Sequence, residues 1–367
     1  LSQVQDVHVL LAARGRWIGG RRAMRLLSVL LLLVLGVLVL GGCANGTWRG
    51  TVDNDLFSPA GEDRNYTSGV ALEYSPNETS TYEIGQKIYT PENLRATERI
   101  TDDRPYAGYI WASYARHRVT LCRTGGAIRK ETGFRIGAVG APSLASETQK
   151  LFHDTLLSDA ISPKGWRHQI ETEVTVAAHH ERKKRLFGFG HGRWRGDAIG
   201  IVRADLGTDI TRARVGGLLR YGFNLPSVFG GGRPGCQAFG PDPTNAGLRR
   251  PIDPYLDAFG NASDTASLGD QASCLRPPWA EGGRRRAYIS LEANAHFTAY
   301  NILIDNHLFR RGTDLSVEPL GYDLSAGLMF EWGNYTIGYR HTTRSAEFVG
   351  DRSSSFGSIV VGWSFEN

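Results

Sequence analysis

The sequence predicts an all-β protein, a twelve-stranded antiparallel transmembrane β-barrel with a short helix in an outer loop. Short segments after residue 40 alternate apolar and polar residues and are rich in Tyr, Trp, Gly and Val. The 367 residues are 41% hydrophobic and 10% aromatic, which suffices for a barrel of this size. An export signal precedes these segments, and no later apolar run is long enough for a transmembrane helix. A soluble β-sandwich, which shares the alternation, is the alternative on pattern alone.

Residues 1–43 are interpreted as an upstream extension and a signal peptide. An apolar run at 26–40 follows a cluster of arginines, and Met24 is a candidate start. The sequence up to Cys43 resembles a lipoprotein cleavage box, and ordinary cleavage just after it is the alternative. Residues 44–367 are then expected to form a single outer-membrane barrel domain.

The net charge does not indicate a nucleic-acid partner. The formal charge is +5, but residues 1–42 hold five Arg and one Asp and so account for most of it. The exported part is therefore almost neutral, and its residual charge gives no basic footprint for nucleic acid.

Each predicted strand is a segment of alternating residues bounded by turn formers. In the last of them, Ser358, Gly362 and Ser364 alternate with larger apolar residues, so one face would meet lipid and the other the lumen. The strand cores, in order along the chain, are 47–54, 66–75, 81–89, 106–119, 131–140, 168–180, 197–207, 211–223, 286–302, 317–332, 333–344 and 354–365.

The lengths of the connections predict which barrel end faces outward. If the N-terminus is periplasmic, odd-numbered connections open outward, and these should be the longer ones. The first, third and fifth connections are long and polar, and the second and fourth are shorter. A basic run at 182–185 falls in connection six and is expected to be a solvated turn.

Connection eight does not fit this rule. Residues 224–285 form a long connection that parity places in the periplasm. Either it is a periplasmic insertion or the strand count slips by one before it. Cys236 and Cys274 flank a Gly/Pro/Asp-rich part of it and could form a disulfide.

Oxygen-bearing side chains cluster at the first connection. Asn54 and Asp55 end the first strand, and Thr67 begins the second. Carboxylate, amide and hydroxyl oxygens at a barrel mouth suit a bound calcium ion or a polar active site. A hydrated loop is the alternative.

Connection five is predicted to contain a helix, which is unusual for a barrel connection. The helix begins near Ser146, a candidate N-cap. Gln149 and His153 are four residues apart and therefore share one helical face. A histidine beside an amide suits a general base with an orienting partner. Trp166, further along, is expected at the outer membrane interface.

Connection three ends with Arg104, which could pair with Asp102 or Asp103 or contact an anionic head group. The sequence contains no G-x-S-x-G elbow and no phosphate loop. A histidine beside oxygen-rich loops instead suits water activated by His, with Ca²⁺ polarising an ester carbonyl.

Six motifs, in this order along the chain, resemble those of the outer-membrane lipid A 3′-O-deacylases (LpxR-like). They cover about residues 47–175 and are Asn54-Asp55, Asp63-Arg64-x-Tyr66-Thr67-x-Gly69, Gln86-x-Ile88-Tyr89-Thr90-Pro91, Asp103-Arg104-Pro105-Tyr106-Ala107-Gly108, Gln149-x-x-x-His153 and Gly165-Trp166-x-x-Gln169.

The resemblance implies a Ca²⁺-dependent esterase that removes the 3′-linked acyl chains of lipid A in the bacterial outer membrane, with the site at the outward rim. It implies that His153 is the general base, with Asn54, Gln149 and Thr67 beside it.

The metal ligands implied by the resemblance are Asp55 and an acidic residue after the helix. Asp159 is the candidate for the second ligand, and Asp154 is the alternative. The chain departs from family members that carry a Lys after the Tyr-Thr-Pro motif, because Arg95 stands nearby instead.

Basic residues near the rim, Arg95, Arg104 and Lys164, would contact the lipopolysaccharide phosphates. We expect a monomer. A porin-like or structural barrel and an outer-membrane phospholipase are the alternative functions.

Overall fold

The structure is a computed structural model that describes residues 46–58, 65–77, 79–98, 100–121, 127–156, 163–225, 285–305 and 313–365. Its strands are β1 (Gly46–Asn54), β2 (Asn65–Asn77), β3 (Ser80–Thr90), β4 (Ala107–Leu121), β5 (Ala127–Val139), β6 (Glu173–His191), β7 (Trp194–Gly207), β8 (Ile210–Phe223), β9 (Arg286–Asn301), β10 (Leu320–Trp332), β11 (Tyr335–Arg344) and β12 (Ser354–Phe365). Helix α1 (Ala145–Leu156) lies between β5 and β6.

The strands form a closed antiparallel barrel. Each strand pairs with its neighbours in sequence, and β1 pairs with β12 to close the sheet. The predicted fold class, strand number and loop helix are therefore confirmed, with α1 beginning at Ala145 instead of just after Ser146. None of the described helices is long and apolar enough to span a membrane. The predicted signal peptide, Cys43 and the Cys236–Cys274 pair lie outside the described residues.

The strand count before connection eight is correct. Residues 224–285 join β8 to β9 at the barrel end that also holds the start of β1 and the end of β12. We call this end the terminal end, and the opposite end, where β1 leads into β2, the site end. Most of the connection, 226–284, lies outside the described residues.

The basic run at 182–185 is not a turn, contrary to the prediction. It lies within β6, which continues to His191. The run alternates like any strand, so every second cation faces inward and finds a carboxylate. Lys183 bonds Glu181 at 3.0 Å, and Arg185 bonds Asp197 at 3.1 Å. A high density of charged residues therefore does not mark a turn at this position.

Strand alternation separates an outer face from a lumen face. On β3, Tyr82 and Ile84 are 50% and 53% exposed and lie on the outer face. Glu83 lies between them and accepts a 2.8 Å hydrogen bond from the indole of Trp111 on β4. Residues of even number on β3 and β4 therefore face outward, and residues of odd number face the lumen.

Side chains pack the lumen at two levels. Toward the site end, an aromatic and apolar cluster includes Tyr66, Tyr89 and residues 302–303 of connection nine. Toward the terminal end, Asp197 is completely buried and binds both Arg185 and Arg220. A buried carboxylate needs such partners, because removal of an unpaired charge from water is costly.

Connection eleven, between β11 and β12, is bonded to connection three, between β3 and β4, at the site end. The guanidinium of Arg104 is completely buried and binds the Glu347 carboxylate at 2.7 Å. Burial raises the pKa of Glu347, but Arg104 and Arg344 outweigh it and hold the pKa below its ordinary value. A second pair, Arg352 with Glu92 at 2.9 Å, is largely exposed to solvent.

Helix α1 lies against the outer face of the barrel wall. Gly108 is on the outward side of β4, and a Cβ added there would come within 2.0 Å of the Ser143 hydroxyl and 2.4 Å of the Ala145 Cβ. Gln86, on the outward side of β3, donates to the Ser143 carbonyl at 2.5 Å and to the Thr148 hydroxyl at 3.1 Å. The absence of a side chain at Gly108 therefore leaves room for the start of α1, and the Gln86 amide bonds it to the wall.

Gly108→Ala should displace the start of α1, because the added methyl group overlaps Ser143 and Ala145. We expect a loss of about 1–3 kcal/mol in stability, typical of overpacking, and faster proteolysis within connection five. Gly217→Ala on β8 is the matched control, since its Cβ would meet only one atom, at 3.7 Å. Equal proteolysis of the two variants would contradict this seating.

Arg104→Met should destabilise the barrel by about 3 kcal/mol, the lower range for breaking a buried ion pair, since Arg344 still faces Glu347. Arg352→Met removes a pair whose side chains are 65% and 63% exposed, and it should cost less than about 1 kcal/mol. Thermal unfolding in detergent micelles measures both variants. Similar unfolding temperatures for the two would refute the assigned structural role of Arg104.

Candidate functional site

The polar end of β1 begins the candidate site. Asp53 faces the lumen, where its carboxylate accepts a 2.7 Å hydrogen bond from the Tyr66 hydroxyl. Asn54 follows on the outward side and caps a short 3-10 turn, since its Oδ1 accepts from the Leu56 amide at 2.9 Å. Asp55 opens that turn, and its side chain is only 1% exposed. A carboxylate and an amide thus lie side by side at the site end.

Thr67 enters the same region through an irregularity in β2. The register between β2 and β3 shifts between Tyr66 and Ser68, which places Thr67 beside Thr90. Their hydroxyl oxygens are 2.6 Å apart, and both residues are buried. Thr90 lies on the outward side of β3, so the Thr67 hydroxyl belongs to the outer face as well.

Gln149 is the most completely defined of the predicted catalytic residues. It lies in α1 with its side chain 4% exposed. Its Oε1 accepts a 2.8 Å hydrogen bond from the indole N–H of Trp166. Trp166 packs on Tyr106 with ring centroids 5.0 Å apart. Its position at the outer membrane interface stays a prediction.

His153 lies in α1, one helical turn after Gln149. This confirms that the two positions share one helical face. The side chains of His153 and Asp154 fall outside the described part of the structure, as does the whole of Asp159. The general base and the second acidic ligand therefore stay predictions.

The polar residues described above that belong to the strands lie on the outer face of the wall, except Asp53, which faces the lumen. Asn54, Thr67 and Gln86 belong to three adjacent strands, and α1 packs on β3 and β4. Continuing down the same face, β3 and β4 present exposed Tyr82, Ile84 and Tyr114. A polar site thus borders an apolar outer surface.

The three predicted substrate-binding cations do not lie in one kind of environment. Arg95 and Lys164 are exposed, and the Lys164 amide donates to the Leu94 carbonyl at 3.1 Å, so they lie on adjoining segments. The buried Arg104 guanidinium pairs with Glu347, and Arg104 bonds Asp103 only through its backbone N–H, at 2.7 Å. We therefore assign Arg104 to support of the barrel mouth.

The described residues fit a calcium ion by donor type. They contain no group of three or more His, Cys, Asp or Glu side chains that could hold a metal. Asp55 is a buried carboxylate, however, with amide and hydroxyl oxygens from Asn54 and Thr67 in the same region. Calcium accepts such neutral oxygens, backbone carbonyls and water beside few carboxylates.

The sequence predicted no role for Gln86 or Gly108. It predicted an interface position for Trp166 but not its hydrogen bond to Gln149. All three occur within the quoted motifs, so the motifs were a signal that their positions are constrained. Their roles depend on contacts between connection five and the wall, which no local pattern reveals.

A solved outer-membrane protein has a similar fold. A structure described as LpxR from Salmonella typhimurium matches with a TM-score of 0.63 and 15% identity, over 87% of this chain and 100% of that chain. The β-domain of the Bordetella autotransporter BrkA covers 88% of this chain and 100% of its own, with 10% identity and a TM-score of 0.39. No curated protein matches the sequence.

The profile of the family described as outer membrane protein LpxR matches residues 26–365. This range contains all six motifs and extends to the last strand. The chain belongs to the LpxR family of outer-membrane proteins, the lipid A deacylase family to which its sequence motifs pointed.

Proposed function

We propose that this protein is a calcium-dependent outer-membrane esterase that removes the 3′-linked acyl chains of lipid A. The site would face outward from the cell, and the enzyme would act as a monomer. His153 would activate the attacking water, with Asn54, Thr67 and Gln149 beside it.

The position of the site on the outer face of the wall carries this proposal. A lipid A ester lies at the boundary between the sugar head group and the acyl chains embedded in the membrane. An enzyme with a lumen site would have to extract those chains from the bilayer. Here Gln86, which bonds α1 at Thr148 beside Gln149, is followed along the outer face of β3 by exposed Ile84 and Tyr82. The chains can therefore remain in an apolar environment, where their burial is favourable.

The chain's own residues would perform ester hydrolysis as follows. His153 takes a proton from water, whose oxygen attacks the ester carbonyl carbon. The C–O bond to the sugar breaks, and the proton passes to the sugar oxygen. Gly108 and Gln86 hold α1, and therefore His153, in place on the wall. Exposed Arg95 and Lys164 are available to contact the lipid A phosphates.

Calcium would be held by Asp55 with Asn54, by Thr67 or backbone oxygens, and by Asp159 or Asp154. When bound, calcium would polarise the ester carbonyl and stabilise negative charge on its oxygen.

The structure favours an enzyme over the two alternatives. A porin-like function needs an open lumen, whereas the described lumen is packed near Tyr66 and near Asp197. A serine phospholipase needs a serine bonded to a histidine. Around Gly321 in the lumen, Ser345 lies near His296, but its hydroxyl donates to the Ala346 carbonyl and accepts from the Tyr322 amide.

His153→Ala should fold normally and lose deacylation, with a rate at least about 100-fold lower, because general-base catalysis is worth roughly that much. Mass spectrometry of lipid A after incubation with the purified barrel measures the loss of acyl chains. His191→Ala at the terminal end of β6 is the matched control and should keep full activity. A folded and active His153→Ala barrel would refute the assignment.

Removal of calcium with a chelator should abolish deacylation, and added Ca²⁺ should restore it. Calcium should also raise the unfolding temperature of the wild type, since a ligand that binds only the folded state stabilises it. Asp55→Asn should raise the calcium concentration needed for half of either effect by about tenfold or more, because one carboxylate ligand loses its charge. Full activity and an unchanged unfolding temperature in chelator would exclude a resident calcium ion.

A further inference from the structure

The side-chain amide of Gln149 is satisfied at only one end. Its Oε1 accepts from Trp166 at 2.8 Å. Its Nε2 is buried and has no hydrogen-bond partner among the described residues. A buried amide N–H without an acceptor is destabilising, because it has lost its hydrogen bonds to water. Such a group is available to an acceptor that arrives with a ligand.

Another glutamine at the same site shows what a purely structural amide does here. Gln86 contacts the same connection, and its Nε2 donates to both the Ser143 carbonyl and the Thr148 hydroxyl. Both of its N–H groups can therefore be used to fasten α1. Gln149, in contrast, has no acceptor for its Nε2 among the described residues, although its side chain is only 4% exposed.

Trp166 decides which end of the Gln149 amide stays free. The two ends of an amide have nearly the same shape, but an indole N–H can only donate. It therefore selects Oε1 and turns the NH₂ group away from itself. Trp166 is held in turn by Tyr106, whose hydroxyl donates to the Leu94 carbonyl at 3.1 Å. A Cβ at Gly165 would come within 2.5 Å of the Tyr106 ring, so this packing requires the preceding glycine.

We propose that Trp166 is a positioning residue that presents Gln149 Nε2 as a hydrogen-bond donor to the carbonyl oxygen of the scissile acyl ester. This inference rests on the proposed deacylase function. A donor already oriented toward an oxygen that gains negative charge lowers the barrier without reorganisation during the reaction. Gln149 stays neutral and transfers no proton. Trp166 does not touch the substrate and acts through Gln149.

A double-mutant cycle in the full-length barrel tests this coupling. Trp166→Phe keeps the ring and removes the N–H, and Gln149→Ala removes the donor. With purified lipid A in detergent micelles, Trp166→Phe should lower kcat about tenfold or more and leave KM nearly unchanged. In the Gln149→Ala background, Trp166→Phe should add almost no further loss, because the residue through which it acts is gone.

Trp111→Phe is the matched control. It also removes an indole hydrogen bond of 2.8 Å, to Glu83, but in the lumen. It should leave kcat within about twofold of the wild type. Equal losses from Trp166→Phe in the wild-type and Gln149→Ala backgrounds would show that Trp166 only supports the fold, and would overturn the proposal.

Gln149→Met gives a second test that does not require Trp166→Phe to fold. The thioether is close in size to the amide and is a weak acceptor for the Trp166 indole, but it has no N–H to donate. The variant should unfold cooperatively in the same thermal assay and lose most of kcat, and a folded Gln149→Met enzyme with wild-type kcat would overturn the proposal. Wild-type protein without any deacylation would refute the proposed function and this inference with it. Active wild type with additive losses would refute the inference alone.

Discussion

Closure of the sheet is the constraint on which the rest of this structure depends. Once β1 pairs with β12, every strand residue faces either the lumen or the outside. Lumen-facing cations and carboxylates must then find each other, as Arg185, Asp197 and Arg220 do. The outer face carries exposed apolar side chains such as Tyr82 and Ile84, and a polar group buried beside them needs a cover. Helix α1 provides that cover at the site end.

Helix α1 explains how polar groups can be buried at the edge of an apolar surface. Thr67, Thr90 and Gln149 are all buried although they belong to the outer side of the wall. Their burial depends on close contact between connection five and the wall, which Gly108 permits and Gln86 fastens. Polar groups seated in this way lie next to the apolar outer surface of the barrel.

The two glutamines and the two tryptophans show how the same residue types serve different ends. Gln86 uses its amide to fasten α1, whereas the Nε2 of Gln149 has no acceptor in the part of the chain that the structure describes. Trp111 donates to a lumen carboxylate, whereas Trp166 donates to Gln149. In each case the partner, not the residue type, determines the contribution. Arg104 follows the same rule, because Glu347 makes it part of the barrel mouth and not a surface cation.

The sequence by itself determined the barrel, its twelve strands and the short helix, because each of these depends on local alternation and turn residues. It also identified the family, since the motifs lie in order along the chain. Only the tertiary structure decided that Thr67 lies on the outer side of the wall, that Arg104 is buried and that Trp166 donates to Gln149. Those contacts join residues that are far apart in sequence, such as Arg104 and Glu347. Local pattern contains no information on which distant side chain will fill the space beside a given one.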